Sequence, residues 1–267
     1  MSNVSPNEGA RPRAAAVGAA AVFQWRLQWR RRKLRGTLLL GLLPVAFAAF
    51  LAVLKLQGSV QTLGTDALSR LLATLYMQIL LVVVPLIYGT ALVAQEAEAR
   101  TLPFLLVRPL SRASLLLGKF LGSWAVACML LCGSFLVAIP LLLGADRFAG
   151  AGAWLAHLPR YLFLLCLGAL SYGTLFTLVG LLFRRPALVG LFLAFGWEAA
   201  IPYLPGWIKN LTVRHHLSAL LPPDCLPASL LAAMAPPSVA SGVLWLGLGS
   251  LVALVAAVHL FARRDYA

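Results

Sequence analysis

One polar stretch decides how the rest of the chain is arranged: residues 95–112, QEAEARTLPFLLVRPLSR, followed closely by Gly118-Lys119. It contains Glu96 and Glu98, several basic side chains and two prolines, and long apolar runs precede and follow it. Charged side chains are costly inside hydrocarbon. We therefore expect the stretch to lie at a membrane surface, where it can meet a partner.

The composition is that of an integral membrane protein. Of the 267 residues, 61% are hydrophobic and 11% are charged, and the mean hydropathy is +0.89. A soluble domain has about 45–50% apolar residues, so a soluble globule is excluded. Helices satisfy their own backbone hydrogen bonds in lipid. We therefore expect an all-α membrane protein.

Six apolar segments are predicted to cross the membrane, in a transmembrane domain that covers residues 37–267. The predicted spans are 37–56, 71–94, 115–143, 161–183, 187–201 and 239–261. A helix needs about 20 apolar residues to cross the hydrocarbon core. The segment between the last two spans, 203–238, is interrupted by prolines and is expected to form short helices at the outer surface.

The N-terminal region is predicted in two parts. Residues 1–13 are expected to be disordered, and residues 14–36 to form an amphipathic helix at the membrane interface. Trp25 and Trp29 are four residues apart and share a helix face. The predicted membrane-surface anchor consists of these two residues with Arg30, Arg31 and Arg32.

The basic residues predict the orientation of the chain. All but six of the 22 Lys and Arg residues fall in segments that are cytoplasmic if both termini are cytoplasmic. Such a bias follows the positive-inside rule, and we expect a bacterial plasma (inner) membrane. The net charge of +14 is expected to attract anionic membrane lipids. The sequence has no basic patch interleaved with aromatic residues, so nucleic-acid binding is not expected.

The polar stretch also carries helix signals. Thr101 can cap a helix whose first turn contains Pro103. Pro109 ends that helix, and Ser111 can cap the next one. The sequence therefore predicts a short helix along the cytoplasmic face, between the second and third spans.

The order of residues in this stretch resembles that of ABC-2-type transporter permeases. In those proteins, acidic residues at the end of the second span precede Thr-Leu, a Leu-Leu pair, Pro with Ser-Arg, and a later Lys. Trp197-Glu198, followed by residues 204–206 and 211–214, is similar to one branch of the family. The chain departs from the pattern at Arg100, where many members have Gly.

The resemblance implies the membrane-spanning subunit of an ABC exporter, which forms the translocation path and is not itself an enzyme. It implies two copies of an ABC ATPase subunit and a second permease subunit, in a homo- or heterodimer. ATP and Mg would bind to the ATPase and no cofactor to this chain; Ala113 stands where a phosphate-binding loop before Gly118-Lys119 needs its first Gly. The implied ATPase-coupling residues are Glu96, Glu98, Arg100, Thr101, Leu102, Leu106, Pro109, Arg112 and Lys119.

Glu198 is the one carboxylate predicted deep within a span. It lies about 18 Å from the inner end of the fifth span, and an ionisable group at that depth faces the protein interior or a cavity. One interpretation places it on the translocation path or at an outer gate. The other is a structural carboxylate bonded to outer donors such as Arg214 or Lys209.

Two other function classes remain open from the residues alone. A membrane-embedded enzyme would use His215, His216 or Glu198, and a non-transporting scaffold would tolerate charge reversal at Glu96 or Glu98. No metal site is predicted, because the spacing of His215-His216 with Asp224 and Cys225 matches no standard zinc pattern.

Overall fold

The computed structural model describes residues 13–30, 32–57, 70–98, 112–145, 151–201, 207–221 and 237–263. Helices with short turns make up these ranges, and no β-strand occurs within them. The all-α prediction is therefore confirmed for this part of the chain.

The helices are numbered in chain order. Their bounds are α1 Arg13–Arg30, α2 Arg32–Leu56, α3 π-helical Leu72–Leu80 continued by α-helical Leu81–Glu98, α4 Arg112–Ala145, α5 Ala151–Ala156, α6 Leu158–Leu182, α7 Pro186–Leu191 continued by π-helical Phe192–Trp197 and by Glu198–Ala200, a 3₁₀ turn Trp207–Leu211, α8 Val213–Ser218 and α9 Val239–Arg263.

Five of the helices within the described ranges are long and apolar enough to cross a membrane. The candidate spans are Gly36–Leu56, Leu72–Leu92, Ala113–Gly144, Leu158–Leu182 and Val239–Arg263. They correspond to the first, second, third, fourth and sixth predicted spans.

The fifth predicted span, 187–201, is different. It falls on α7, whose apolar part Pro186–Trp197 is shorter than the other candidates. A helix of 15 residues extends about 22 Å, which is less than the ~30 Å hydrocarbon core. The six-span count is therefore not confirmed by helix length.

Helix α6 lies at the centre of the bundle and packs against α3, α4 and α9. Most of its residues between Tyr161 and Leu181 are buried. On the facing helix, a Cβ atom added at Gly89 would lie 2.9 Å from Phe176 Cβ. Small residues at such contacts let membrane helices approach closely, so α3 and α6 form the tightly packed core of the bundle.

The N-terminal helix is part of the bundle as well. Helix α1 packs along α4, where Gly118 and Gly122 face it. A Cβ at Gly118 would lie 2.8 Å from the Val17 carbonyl oxygen, and one at Gly122 would lie 2.7 Å from the Ala21 carbonyl oxygen. The predicted interfacial segment 14–36 is therefore divided between α1 and the start of α2, and α1 packs directly against α4.

Candidate functional site

The ATPase-coupling stretch falls largely on residues that the structure does not describe. Arg100, Thr101, Leu102, Leu106 and Pro109 lie outside the described ranges, and so does the predicted coupling helix. Backbone positions, without side chains, are described for Glu96 and Glu98 at the end of α3 and for Arg112 at the start of α4.

Lys119 is the coupling residue whose side chain the structure describes, and it is 6% exposed. It follows Gly118, which contacts α1. Close by, the side chain of Gln28 donates from Nε2 to Ser123 Oγ over 2.7 Å, and both residues are buried. The segment that follows the polar stretch is therefore packed against α1, a contact that no sequence signal predicted.

Of the predicted membrane-surface anchor, the structure describes mainly Trp25. This side chain is partly buried and packs against the hydrophobic core. Trp29, Arg30 and Arg32 have described backbone positions within α1 and α2, and Arg31 lies outside the described residues. The proposed contact of these residues with lipid stays a prediction.

Glu198 lies in α7, directly after the π-helical segment, and is 5% exposed. Its carboxylate accepts three hydrogen bonds. Oε1 accepts from the backbone N–H of Val213 over 2.8 Å. Oε2 accepts from the backbone N–H of Arg214 over 3.1 Å and from the hydroxyl of Tyr172 over 3.0 Å. The carboxylate thus joins α7, α8 and α6.

These contacts complete the N-terminal turn of α8. The first N–H groups of a helix have no partner within the helix. In α8, the N–H groups of Val213 and Arg214 are bound by Glu198, and the next one, of His215, donates to Thr212 Oγ over 3.4 Å. Thr212 is thus an ordinary N-cap residue, and Glu198 supplies the acceptors that Thr212 cannot reach.

Arg160 binds the opposite end of α8. It donates from Nε to the Leu220 carbonyl oxygen over 2.6 Å and from Nη2 to the Ala219 carbonyl oxygen over 3.1 Å. The two helix ends therefore face opposite charges, a carboxylate at the N-terminus and a guanidinium just beyond the C-terminus. This is the arrangement that a helix dipole favours.

The two clamping contacts also show how deep α8 lies beside α6. Arg160 is in the first turn of α6, and Tyr172 is twelve residues further along, a distance of about 18 Å along the axis. Helix α8 thus runs beside the first half of a candidate span, and its residues His215–Ser218 are buried. Short helices occur at membrane depth only where protein buries them.

The family model for the ABC-2 family transporter protein matches residues 27–266. The chain belongs to this ABC-2 transporter family. The match begins within α1 and includes α2 to α9. No curated protein matches the chain. The resemblance drawn from the polar stretch is confirmed: the chain is an integral membrane protein and a permease of an ABC transporter.

In this ABC-2 permease, His216 of the paired histidines contacts the preceding 3₁₀ turn and α9. His216 Nε2 lies 2.8 Å from the Asn210 carbonyl oxygen and, because a carbonyl only accepts, carries the proton. The ring stacks on Trp245 of α9 at a centroid distance of 5.7 Å. Among the described residues, no group of three or more His, Cys, Asp or Glu side chains is placed to hold a metal ion.

The structure also assigns partners that the sequence analysis of this permease missed. Tyr172, Thr212 and Arg160 were not selected as site residues. For Arg160 a signal was present, because it is one of the few basic residues predicted outside the cytoplasm. For Thr212 the signal was its residue type, because Thr is a preferred N-cap residue before a helix. The donors of Glu198 are the backbone N–H groups of Val213 and Arg214 and the Tyr172 hydroxyl. Of the two donors that the structural interpretation suggested, Arg214 binds the carboxylate, through its backbone.

Proposed function

We propose that the chain is the permease subunit of an ATP-driven exporter and forms its translocation path. It works as a homo- or heterodimer with two copies of an ABC ATPase subunit, which bind ATP and Mg; this chain binds no cofactor. The observation that carries the proposal is the polar stretch 95–112, which lies between the candidate spans Leu72–Leu92 and Ala113–Gly144 and continues the proposed coupling loop to residue 119, in a chain of this family.

The stretch is suited to transmit a mechanical movement. It connects the end of α3 with the start of α4, and both helices pack against the central α6. A force applied to the stretch therefore acts on the end of α3 and on the start of α4. Helix α1, which packs on Gly118 and Gly122, follows any movement of α4.

The orientation belongs to the same proposal. The stretch and both termini are cytoplasmic in a bacterial plasma membrane, as the distribution of Lys and Arg predicts. The N-terminal basic residues contact anionic lipids of that membrane surface. The end of the bundle at which α6 begins, with Arg160, then faces outward.

The test is to copurify the chain with its ATPase and to measure ATP hydrolysis in nanodiscs. We expect the double variant Glu96→Lys/Glu98→Lys to weaken ATPase binding about tenfold or more, because it reverses two charges at the contact. The control is Glu8→Lys/Asp265→Lys, which makes the same total change of charge outside the stretch and is expected to bind as the wild type.

Three results would contradict the proposal. Recovery of the chain without any nucleotide-binding partner would contradict the proposed association with an ATPase. A double variant that binds and stimulates the ATPase like the wild type would instead favour a non-transporting scaffold. A catalytic activity that persists without an ATPase and depends on His215, His216 or Glu198 would favour a membrane-embedded enzyme.

A further inference from the structure

We propose that Glu198 and Arg160 are positioning residues that clamp α8 at both ends and lock α6, α7 and α8 into one unit. In this assignment Glu198 is not a substrate ligand. The clamp is a property of the permease alone and does not depend on ATP coupling or on the direction of transport.

The hydrogen bonds of Glu198 leave little capacity for a ligand. The side chain is 5% exposed, and its two oxygens already accept from three donors. Buried polar groups are almost always paired, and breaking one bond leaves both partners without compensation. A substrate would have to displace the backbone of α8 to reach the carboxylate.

The identity of the donors ties the carboxylate to the position of α8. Two of the three donors are backbone N–H groups, of Val213 and Arg214, so they move with the helix itself. The third, Tyr172, holds the same carboxylate against α6. Any shift of α8 away from α7 would leave two N–H groups buried without their acceptors, and the carboxylate would keep only Tyr172 of its three donors.

Arg160 supplies the matching contact at the other end. Its guanidinium binds two successive carbonyl oxygens, of Ala219 and Leu220, which also belong to the backbone. At α8 both charged residues therefore bind backbone groups, and these contacts depend on the position of the backbone and not on the side chains of α8. Arg160 and Tyr172 are both on α6, so this one helix connects the contacts at the two ends of α8.

Helix α9 closes the remaining side of α8. A Cβ at Gly242 would lie 2.8 Å from the His216 carbonyl oxygen, so the two backbones are in direct contact. The His216 ring stacks on Trp245. Helix α8 thus contacts α6, α7 and α9, and a movement away from any of them would break one of these contacts.

The test is amide hydrogen exchange at single-residue resolution on the full chain in nanodiscs. In Glu198→Ala we expect the amides of Val213 and Arg214 to exchange about tenfold faster or more, because their acceptors are removed. In Arg160→Met we expect faster exchange at Leu220 and Leu221, whose N–H groups bond to Leu217 and Ser218. Arg263→Met, at the exposed end of α9, is the matched control and is expected to leave α8 unchanged.

Glu198→Gln gives a finer test and guards against a variant that fails to fold. The amide oxygen can replace Oε2, which has two donors, and the amide NH₂ then faces the N–H of Val213. We therefore expect fast exchange at Val213 with protection largely retained at Arg214. A ligand role that leaves α8 untouched predicts no change at either amide.

The proposal is overturned if both amides keep wild-type exchange in Glu198→Ala and in Glu198→Gln. It is also overturned if exchange rises equally throughout α6 and α9, because the residues would then support general stability and not the position of α8. Either result would leave the proposed ATP coupling intact, because no ATPase is present in the experiment.

Discussion

Two helix contacts in this permease are built from different chemistry. Helix α1 approaches α4 at Gly118 and Gly122, where missing side chains allow backbone contact. Helix α8 is held by Glu198 and Arg160, whose charges bind its two ends. In a bilayer, lipid is as apolar as Leu, so helices associate through close packing and hydrogen bonds. The permease uses mainly close packing between α1 and α4, and mainly hydrogen bonds to hold α8.

The two contacts differ in whether substitutions can replace both partners of each hydrogen bond. The hydrogen bond at the α1 contact joins two side chains, Gln28 and Ser123, and both can be replaced. At the α8 contact, the partners of Glu198 and Arg160 are mostly backbone groups, which no substitution removes. The α8 contact is therefore expected to be the more sensitive of the two.

The largest effect is expected for Glu198→Met, which keeps the volume of the side chain. It leaves two backbone N–H groups and the Tyr172 hydroxyl buried without an acceptor, and we expect a loss of about 2–4 kcal/mol in the free energy of unfolding. The measurement is denaturation in mixed micelles. Tyr172→Phe removes one donor and leaves the carboxylate its backbone partners, so a smaller loss is expected; an equal loss would contradict the ranking.

A smaller effect is expected for Gly118→Ala, which tests the packing contact. The added Cβ would meet the Val17 carbonyl oxygen and Ala20 Cβ, and overpacking of this kind costs about 1–3 kcal/mol. Gly133→Ala on the same helix is the control, because nothing lies within 4 Å of its added Cβ. Ala is the better helix former, so Gly133→Ala is expected to be neutral or stabilising. Equal melting temperatures for the two variants would refute close packing at Gly118.

The smallest effect is expected when both partners at the α1 contact are replaced, in Gln28→Met/Ser123→Ala. Replacing both partners of a hydrogen bond with apolar groups is often nearly neutral, so we expect less than about 1 kcal/mol. Ser123→Ala alone leaves the buried Gln28 amide without its acceptor and is expected to cost more than the double variant. A double variant that lowers the free energy of unfolding as much as Glu198→Met does would contradict the expected difference between the two contacts.

Particular residues show how far sequence reasoning reached. The apolar runs around Pro44, Pro85 and Pro140 predicted helices, and each of these prolines lies inside a helix that is a candidate span. Periodicity and length sufficed because a spanning helix satisfies its backbone within itself. Helix α7 was harder, since its 187–201 run is shorter than a span and its role depends on what surrounds it.

Glu198 shows the limit most clearly. Its depth in an apolar run singled it out, but two interpretations of it stayed open. Its donors come from Tyr172, 26 positions earlier, and from Val213 and Arg214, 15 and 16 positions later. Backbone N–H groups are present at nearly every residue, so no pattern of side chains can announce that two of them will meet a carboxylate.

The sequence by itself determined the class of the protein, the position of its long helices and its family, because hydrophobic length and the ordered polar stretch are local properties. Only the tertiary structure decided that α1 packs on α4 through Gly118 and Gly122, and that Glu198 and Arg160 hold the two ends of α8. These contacts depend on which backbone segments come together in space, and a buried charge takes its partners from that arrangement.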